Sequence, residues 1–223
     1  MGGFPEGYKR RVVASALDVE TGEYSPFTSD DTTFYDFADA AVSSSSIPFI
    51  FPPHQWHKGT FMDGGTVWNV NLDSAIEQCL KVVDKQEKIT VDVVECSSPP
   101  VPDSRWSLNN DVVSDYLYAR NIHSFYSDAD NLAEQKKVYP EVNFRYLFQQ
   151  REYQLSGLDE LKFDNATTWP LQVNGRQVAQ ETLQAGDSTI FKLFDEYTES
   201  DELKKAHGHW VNYLSSKLPS YLQ

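Results

Sequence analysis

Residues 59–79, GTFMDGGTVWNVNLDSAIEQC, constrain the fold more than any other stretch, because they set an acid and two glycines between an apolar strand and an amphipathic helix. Phe61 and Met62 lead into Asp63, and Gly64-Gly65 follow it. A carboxylate placed there emerges at a strand end, where the chain can turn sharply and another backbone can approach closely. Two uses suit such a group. It can serve as a base facing a site, or as the acid of an Asp-Gly hairpin turn, which is a strong turn signal in its own right. After the glycines, Asn69 or Asn71 caps a helix in which Ala75, Ile76, Cys79, Leu80 and Val83 recur at helical spacing. Glu77, Gln78, Lys81 and Asp84 form its other face.

The flanking chain alternates strand and helix signals. Residues 11–19, RVVASALDV, read as a buried strand, expected to be parallel, closed by the turn Glu20-Thr21-Gly22. Residues 24–46 pass from polar loop into a short helical pattern with Phe34, Phe37, Ala38 and Ala41 on one face, broken by Ser43 to Ser46. Pro48, Pro52 and Pro53 bar residues 47–58 from a regular helix or a central strand, while their Ile and Phe content predicts a buried connection. Residues 88–96, KITVDVVEC, are a second strand rich in β-branched side chains, closed by the irregular turn SSPPVPDS. Strand, helix, strand gives an α/β class. A long helical pattern over 110–138 follows, with Val113, Leu117, Ile122 and Phe125 as its stripe and breaks near Ser127 to Asp130. Residues 142–149 form a third strand, residues 175–186 a helix stopped by Gly186, and residues 199–218 a last, more polar helix. Thr168-Trp169-Pro170 is the best place for a subdomain seam, although one α/β unit is the simplest account.

Composition excludes several function classes. With 223 residues, 40% of them hydrophobic, the chain can bury a core of its own. A net charge of −14 argues against nucleic acid, whose phosphates demand clustered Lys and Arg, and against electrostatic docking on anionic lipid. Cys79 and Cys96 are too few for a disulfide framework and read as small buried thiols of a reducing compartment. The first 20 residues lack the apolar run of a secretory signal, no stretch is long enough for a membrane span, and a cytoplasmic location follows as the expectation. The sequon at Asn165 is a triplet that chance often supplies.

Three segments taken together, VVASALDVETGEYSPF, FADAAVSSSSIPFIFPP and GTFMDGGTVWNVNLDSAIEQC, resemble the second half of a patatin-like phospholipase domain. In that family a strand ending near a T-G turn leads to an A-S-x-x-x-P-x-F-x-P segment, a short hairpin, a D-G-G or D-G-A motif, an Asn and a helix. The resemblance covers residues 11–97 and extends more weakly through residues 158–186. It implies a three-layer α/β sandwich with a mostly parallel central sheet flanked by helices. Asp63 is then the general base of a Ser-Asp dyad, with Gly64 and Gly65 as motif support. A serine hydroxyl is a weak nucleophile that needs an adjacent proton acceptor, and a partly desolvated carboxylate can be one.

The nucleophile that such a base serves sits in a G-x-S-x-G elbow beside a glycine-rich oxyanion loop. The sequence contains no G-x-S-x-G. The chain therefore reads as the C-terminal portion of a patatin-like domain over 1–187, lacking the N-terminal part, with a helical extension over 188–223. The implied activity is lipid acyl hydrolysis of a phospholipid or acylglycerol, with transient contact at a lipid surface and with no cofactor or metal in the dyad chemistry. The rival is an inactive lipid-binding or scaffolding protein of the same fold. Ser43 to Ser46 suit tight packing and turns better than nucleophilic attack, and Ser15, inside a strand with no elbow glycines, reads as core or edge filling. His54 and His57 lack a third ligand at metal spacing and read as rim histidines, as do His207 and His209 in their polar tail. Ile47, Phe49, Phe51, Val67 and Trp68 surround Asp63 in sequence, as core or as the wall of an acyl channel.

Overall fold

The computed structural model describes residues 8–96, 111–151 and 162–218. The expected turn SSPPVPDS and the start of the segment 158–186 lie outside the described residues. The chain divides into two units, Met1–Lys85 and Gln86–Gln223.

In the first unit, four strands form a sheet in the order β2-β1-β4-β3: β1 Val13–Asp18, β2 Tyr24–Thr28, β3 His54–Trp56 and β4 Gly59–Asp63. Every pairing in it is antiparallel, which corrects the expectation of a parallel β1. The cause is local. The Asp18 carboxylate accepts the N–H groups of Glu20 (2.8 Å) and Thr21 (3.1 Å), Gly22 takes a φ of 74°, and the chain folds straight back onto β1. A parallel return would need a crossover of a dozen residues or more. Sequence reading missed β2 because Pro26 lies in its middle; the strand tolerates a residue without an N–H because it is at the sheet edge.

Ala16, Phe27, Phe61 and Ala40 make the core on one face of this sheet, with Ala14, Phe37 and Trp56 packed against it. Phe27 meets Phe61 and Trp56 edge to face at 5.1 and 5.2 Å, and such pairs add about 1 kcal/mol each beyond area burial. Helix α1 (Asp36–Ser44) covers the core, but turned from the expected phase: Ala40 and Ser43 are buried, while Phe34, Ala38 and Ala41 are exposed. Small residues inside let the helix sit close to the sheet. Its stop falls at Ser45, whose hydroxyl returns to the Ala41 carbonyl (2.9 Å), and Ser46 does the same to Val42 (2.8 Å).

The stretch 47–58 is not a buried connection. Phe49 is 76% exposed with a φ of 69°, and Phe51 is also exposed. Beyond the prolines, β3 pairs with β4 through a tight hairpin in which Trp56 faces Gly59. Helix α2 (Leu72–Leu80) is capped by Asn71, whose side chain accepts the Ser74 N–H at 3.1 Å. That cap sets a phase that buries Leu72, Ser74, Ile76 and Gln78 and leaves Ala75 and Cys79 exposed. Gln78 is drawn in by Arg11, which donates to its Oε1 at 2.8 Å. Both cysteines are exposed thiols, against expectation.

In the second unit, β5 (Thr90–Glu95) and β6 (Asn143–Gln149) pair in parallel, with α3 (Val112–Val138) in the connection between them. This is the one parallel pairing among the described residues, so the chain is α/β but shows no mostly parallel central sheet there. Helix α3 runs without the expected break at 127–130. Phe125 of its stripe is buried and Val113 exposed, and the side chain of Leu117 lies outside those described. Helix α4 (Asn165–Ala185) begins ten residues before the expected start, capped by Asp164, and carries Pro170 inside it. The seam expected at 168–170 is thus continuous helix. The one helix expected over 199–218 is two, α6 (Asp201–His207) and α7 (Trp210–Lys217), parted at Gly208, and an unexpected helix α5 (Thr189–Glu199) precedes them. They are no polar tail: Ile190, Phe191, Phe194, Trp210, Val211, Tyr213 and Leu214 are core.

Candidate functional site

Asp63 ends β4 opposite Ala16 of β1, and its backbone N–H donates to the Ser46 carbonyl at 3.0 Å. Its carboxylate is half-buried, and Oδ1 accepts the Gly65 N–H at 2.9 Å. Residues Gly64–Thr66 wind into a short 3-10 turn that Asp63 caps, so this Asp-Gly does not make a hairpin. Gly64 is buried against β1: a Cβ there would stand 2.4 Å from the Ser15 carbonyl oxygen. The first glycine is required for close approach, and the second supplies the N–H that holds the carboxylate.

A polar network that sequence reading did not assemble lies beside this acid. Asn71 Nδ2 donates to Ser15 Oγ, and Ser15 in turn is hydrogen-bonded to the Tyr24 hydroxyl. Burial raises the Tyr24 pKa, the Ser15 contact opposes that shift, and the negative charge of Asp63 adds to it. Tyr24 also donates to the Trp68 carbonyl at 3.3 Å, and its ring meets the indole of Trp68 edge to face at 4.9 Å. Ser15 is buried, as filling would be, but its hydroxyl links β1 to the cap of α2. The signal available in advance was the Asn71 cap; its second hydrogen bond crosses 56 positions of chain.

Residues 4–76 match the family model of the patatin-like phospholipases. The match takes in α1, all four strands of the first unit and positions 63 to 65. No curated protein matches the chain. The patatin-like match ends inside α2, so it does not reach the parallel pair or the helices of the second unit. The order strand, serine-rich helix end, short hairpin, Asp63, glycines, Asn71 and helix is the order seen in the structure.

The remaining candidates separate from Asp63. Ser43 is fully buried, and its hydroxyl finds no hydrogen-bond partner among the described residues. His54 pairs with Asp39 of α1 at 2.9 Å, and His57 packs edge-on to Trp56 at 5.0 Å. His207 lies on Tyr213 and His209 on Phe125, both in the second unit. Among the described residues no group of three or more His, Cys, Asp or Glu is placed to hold a metal. No described helix is long and apolar enough to cross a membrane. Val67 and Trp68, each half open to solvent, follow Asp63 within one turn, while Phe49 and Phe51 follow Ser46, whose carbonyl binds the Asp63 N–H.

Proposed function

We propose that the first unit supplies the base half of a lipid acyl hydrolase, with Asp63 as the general base that takes the proton of a nucleophilic serine. The observation that carries this reading is the placement of Asp63 within the patatin-like match. It stands at a strand end, with its carboxylate held by the Gly65 N–H and the adjoining turn pressed onto β1 through Gly64. A fixed carboxylate beside a serine Oγ accepts the hydroxyl proton as oxygen attacks the ester carbonyl, and returns it to the leaving alcohol. The acyl-serine then yields to water by the same route in reverse. Phospholipid or acylglycerol esters suit the exposed apolar side chains Phe49, Phe51, Val67 and Trp68 on either side of Asp63 in the chain.

The alternative, an inactive lipid-binding or scaffolding protein of this fold, draws on the want of a G-x-S-x-G in the 223 residues. One experiment separates the two. The chain is assayed for fluorophosphonate labelling and ester hydrolysis, alone and together with a patatin-like segment bearing a G-x-S-x-G elbow. Hydrolysis that needs the added segment and is lost in Asp63→Asn supports the base role. No hydrolysis in either arm, with lipid binding unchanged in Asp63→Asn, supports the scaffold. Hydrolysis that survives Asp63→Asn removes Asp63 from the chemistry.

A further inference from the structure

In the second unit, the end of α3, the start of β6 and the first turns of α5 border an open cavity of about 290 Å3. Its apolar wall is Val142 with Phe144 and Phe191, whose rings meet edge to face at 5.4 Å. Lys136 lies over both rings, its ammonium 5.3 Å from the centroid of Phe144 and 4.8 Å from that of Phe191, and it donates to Asp195. Two ring faces and one carboxylate hold that charge in place, and the side chain is 14% exposed. Asp195 takes one of the three donors of the ammonium.

Lys192 lines the same cavity, one turn before Asp195 on α5, and is exposed. Among the described residues it forms no ion pair. Two ammonium groups thus meet one carboxylate here, a local excess of positive charge in a chain whose net charge is −14. Ser188 adds a strained piece of wall, since a non-glycine residue with a φ of 60° is held there only by its surroundings. Its N–H donates to the Arg145 carbonyl at 2.7 Å and its hydroxyl to the Phe144 carbonyl at 3.0 Å. Both bonds fasten the entry to α5 onto β6, so Lys192 is carried on a fixed turn beside the Phe144 ring.

We propose that this cavity binds a phosphomonoester, with Lys136 and Lys192 donating to its phosphate oxygens and the apolar wall against its organic part. Lysine acts on phosphate as a point charge, and two of them suit a tetrahedral dianion. A planar carboxylate is matched better by the fork of an arginine, and no arginine is among the described residues that line the cavity. The volume leaves room for several carbon atoms beside the phosphate group. Asp195 orients Lys136 and also repels the ligand, so it sets an upper bound on the affinity. A soluble phosphate ester and the headgroup of phosphatidic acid present the same chemistry.

The test is titration of the full chain at constant ionic strength and about pH 7.5, above the second phosphate pKa of about 6. Wild type, Lys192→Gln and Asp195→Asn are compared. One arm uses glycerol 3-phosphate, read by calorimetry; the other uses phosphatidylcholine vesicles with and without phosphatidic acid, read by co-sedimentation. Lys192 is exposed, so Lys192→Gln should keep the fold and weaken binding by about tenfold, the effect of one charge-assisted hydrogen bond. Asp195→Asn still accepts from Lys136 but no longer repels the phosphate, and it should bind more tightly than the wild type. These opposite signs separate a site in this cavity from a general loss of structure, which would weaken both variants.

Binding of glycerol 3-phosphate assigns a soluble ester, and binding confined to vesicles that contain phosphatidic acid assigns a lipid headgroup; either one, weakened in Lys192→Gln, supports the proposal. Equal binding by wild type and Lys192→Gln overturns it, because the anion then sits elsewhere. Weaker binding by Asp195→Asn overturns it too, as does the lack of any binding in both arms with the ester at roughly 10 mM.

Discussion

Gly64 lies so close to Ser15 that the carbonyl oxygen of one occupies the space a side chain on the other would need. The 2.4 Å separation between an ideal Cβ at 64 and Ser15 O is below any real contact, and both partners are backbone. Neither a rotamer change nor a small side-chain shift can relieve it. The position of Asp63, one residue earlier, therefore depends on residue 64 having no side chain.

Gly64→Ala should destabilise the first unit by about 3 kcal/mol, the upper range for forced overpacking. Gly175→Ala is the control. Gly175 lies inside α4 with open space around its would-be Cβ, and alanine there should stabilise by about 0.5–1 kcal/mol. Denaturant midpoints of the two variants, moving in opposite directions, check both statements. Equal and small shifts would show that β1 and the turn at Gly64 can separate.

Asn71 does two jobs with two ends of one amide. Its Oδ1 accepts the Ser74 N–H, and its Nδ2 donates to buried Ser15. Asn71→Ala should cost about 2 kcal/mol, about 1 for the helix cap and about 1 for the stranded hydroxyl. Asn71→Asp keeps the cap acceptor and loses the donor, so it should recover about half of that in chemical denaturation. An aspartate variant as weak as the alanine would mean that the cap contributes little.

Much of the first unit could be read from local signals. The Asp63 strand end, the Asn71 cap and the serine stop of α1 are each written in a few adjacent residues, and each is where the sequence puts it. What failed was anything set by partners distant in the chain. Gln78 looked like a surface residue until Arg11 reached it across 67 positions, and β2 was hidden because Pro26 is tolerated only at an edge that no local pattern reveals. The direction of β1 failed for a different reason: β-branched and apolar content says that a strand is buried and says nothing of the sense of its neighbour. In the second unit the helix expected over 199–218 reads as polar because Trp210, Tyr213 and Leu214 of α7 stand among Asn, Ser and Lys, and no local signal pointed to α5, which buries Phe191, Phe194 and Tyr197.

The Arg151–Glu181 ion pair is buried on both sides, and Gln177 donates a further hydrogen bond to Glu181 at 2.8 Å. Burial depresses the Arg151 pKa, and Glu181 opposes that shift without cancelling it, so the pair does not fully offset the desolvation of the guanidinium. Glu181→Ala should destabilise the second unit by about 3–5 kcal/mol, because it leaves a guanidinium charge in a dry place. The double variant Arg151→Met with Glu181→Leu should return to within about 1 kcal/mol of the wild type, since no charge then remains to be satisfied. Thermal unfolding of the single and double variants reads the difference.

Tyr213 of α7 donates its hydroxyl to Glu196 of α5 at 2.6 Å, and this hydrogen bond, ahead of burial and the carboxylate charge, pushes its pKa up to about 12. The bond exists only while the phenol keeps its proton. A raised acid holds its proton in the folded state after the unfolded chain has lost it, so the contribution is complete below pH 10 and disappears as pH rises to about 12. Across that window the unfolding constant of the wild type should rise by up to about tenfold per pH unit relative to Tyr213→Phe. Below it, Tyr213→Phe should cost about 1 kcal/mol, because exposed Glu196 finds water in place of the phenol. Tyrosinate absorbance provides the independent readout: one titration near pH 12 should vanish in Tyr213→Phe, and a wild type lacking it would show that α5 and α7 are not joined through this bond.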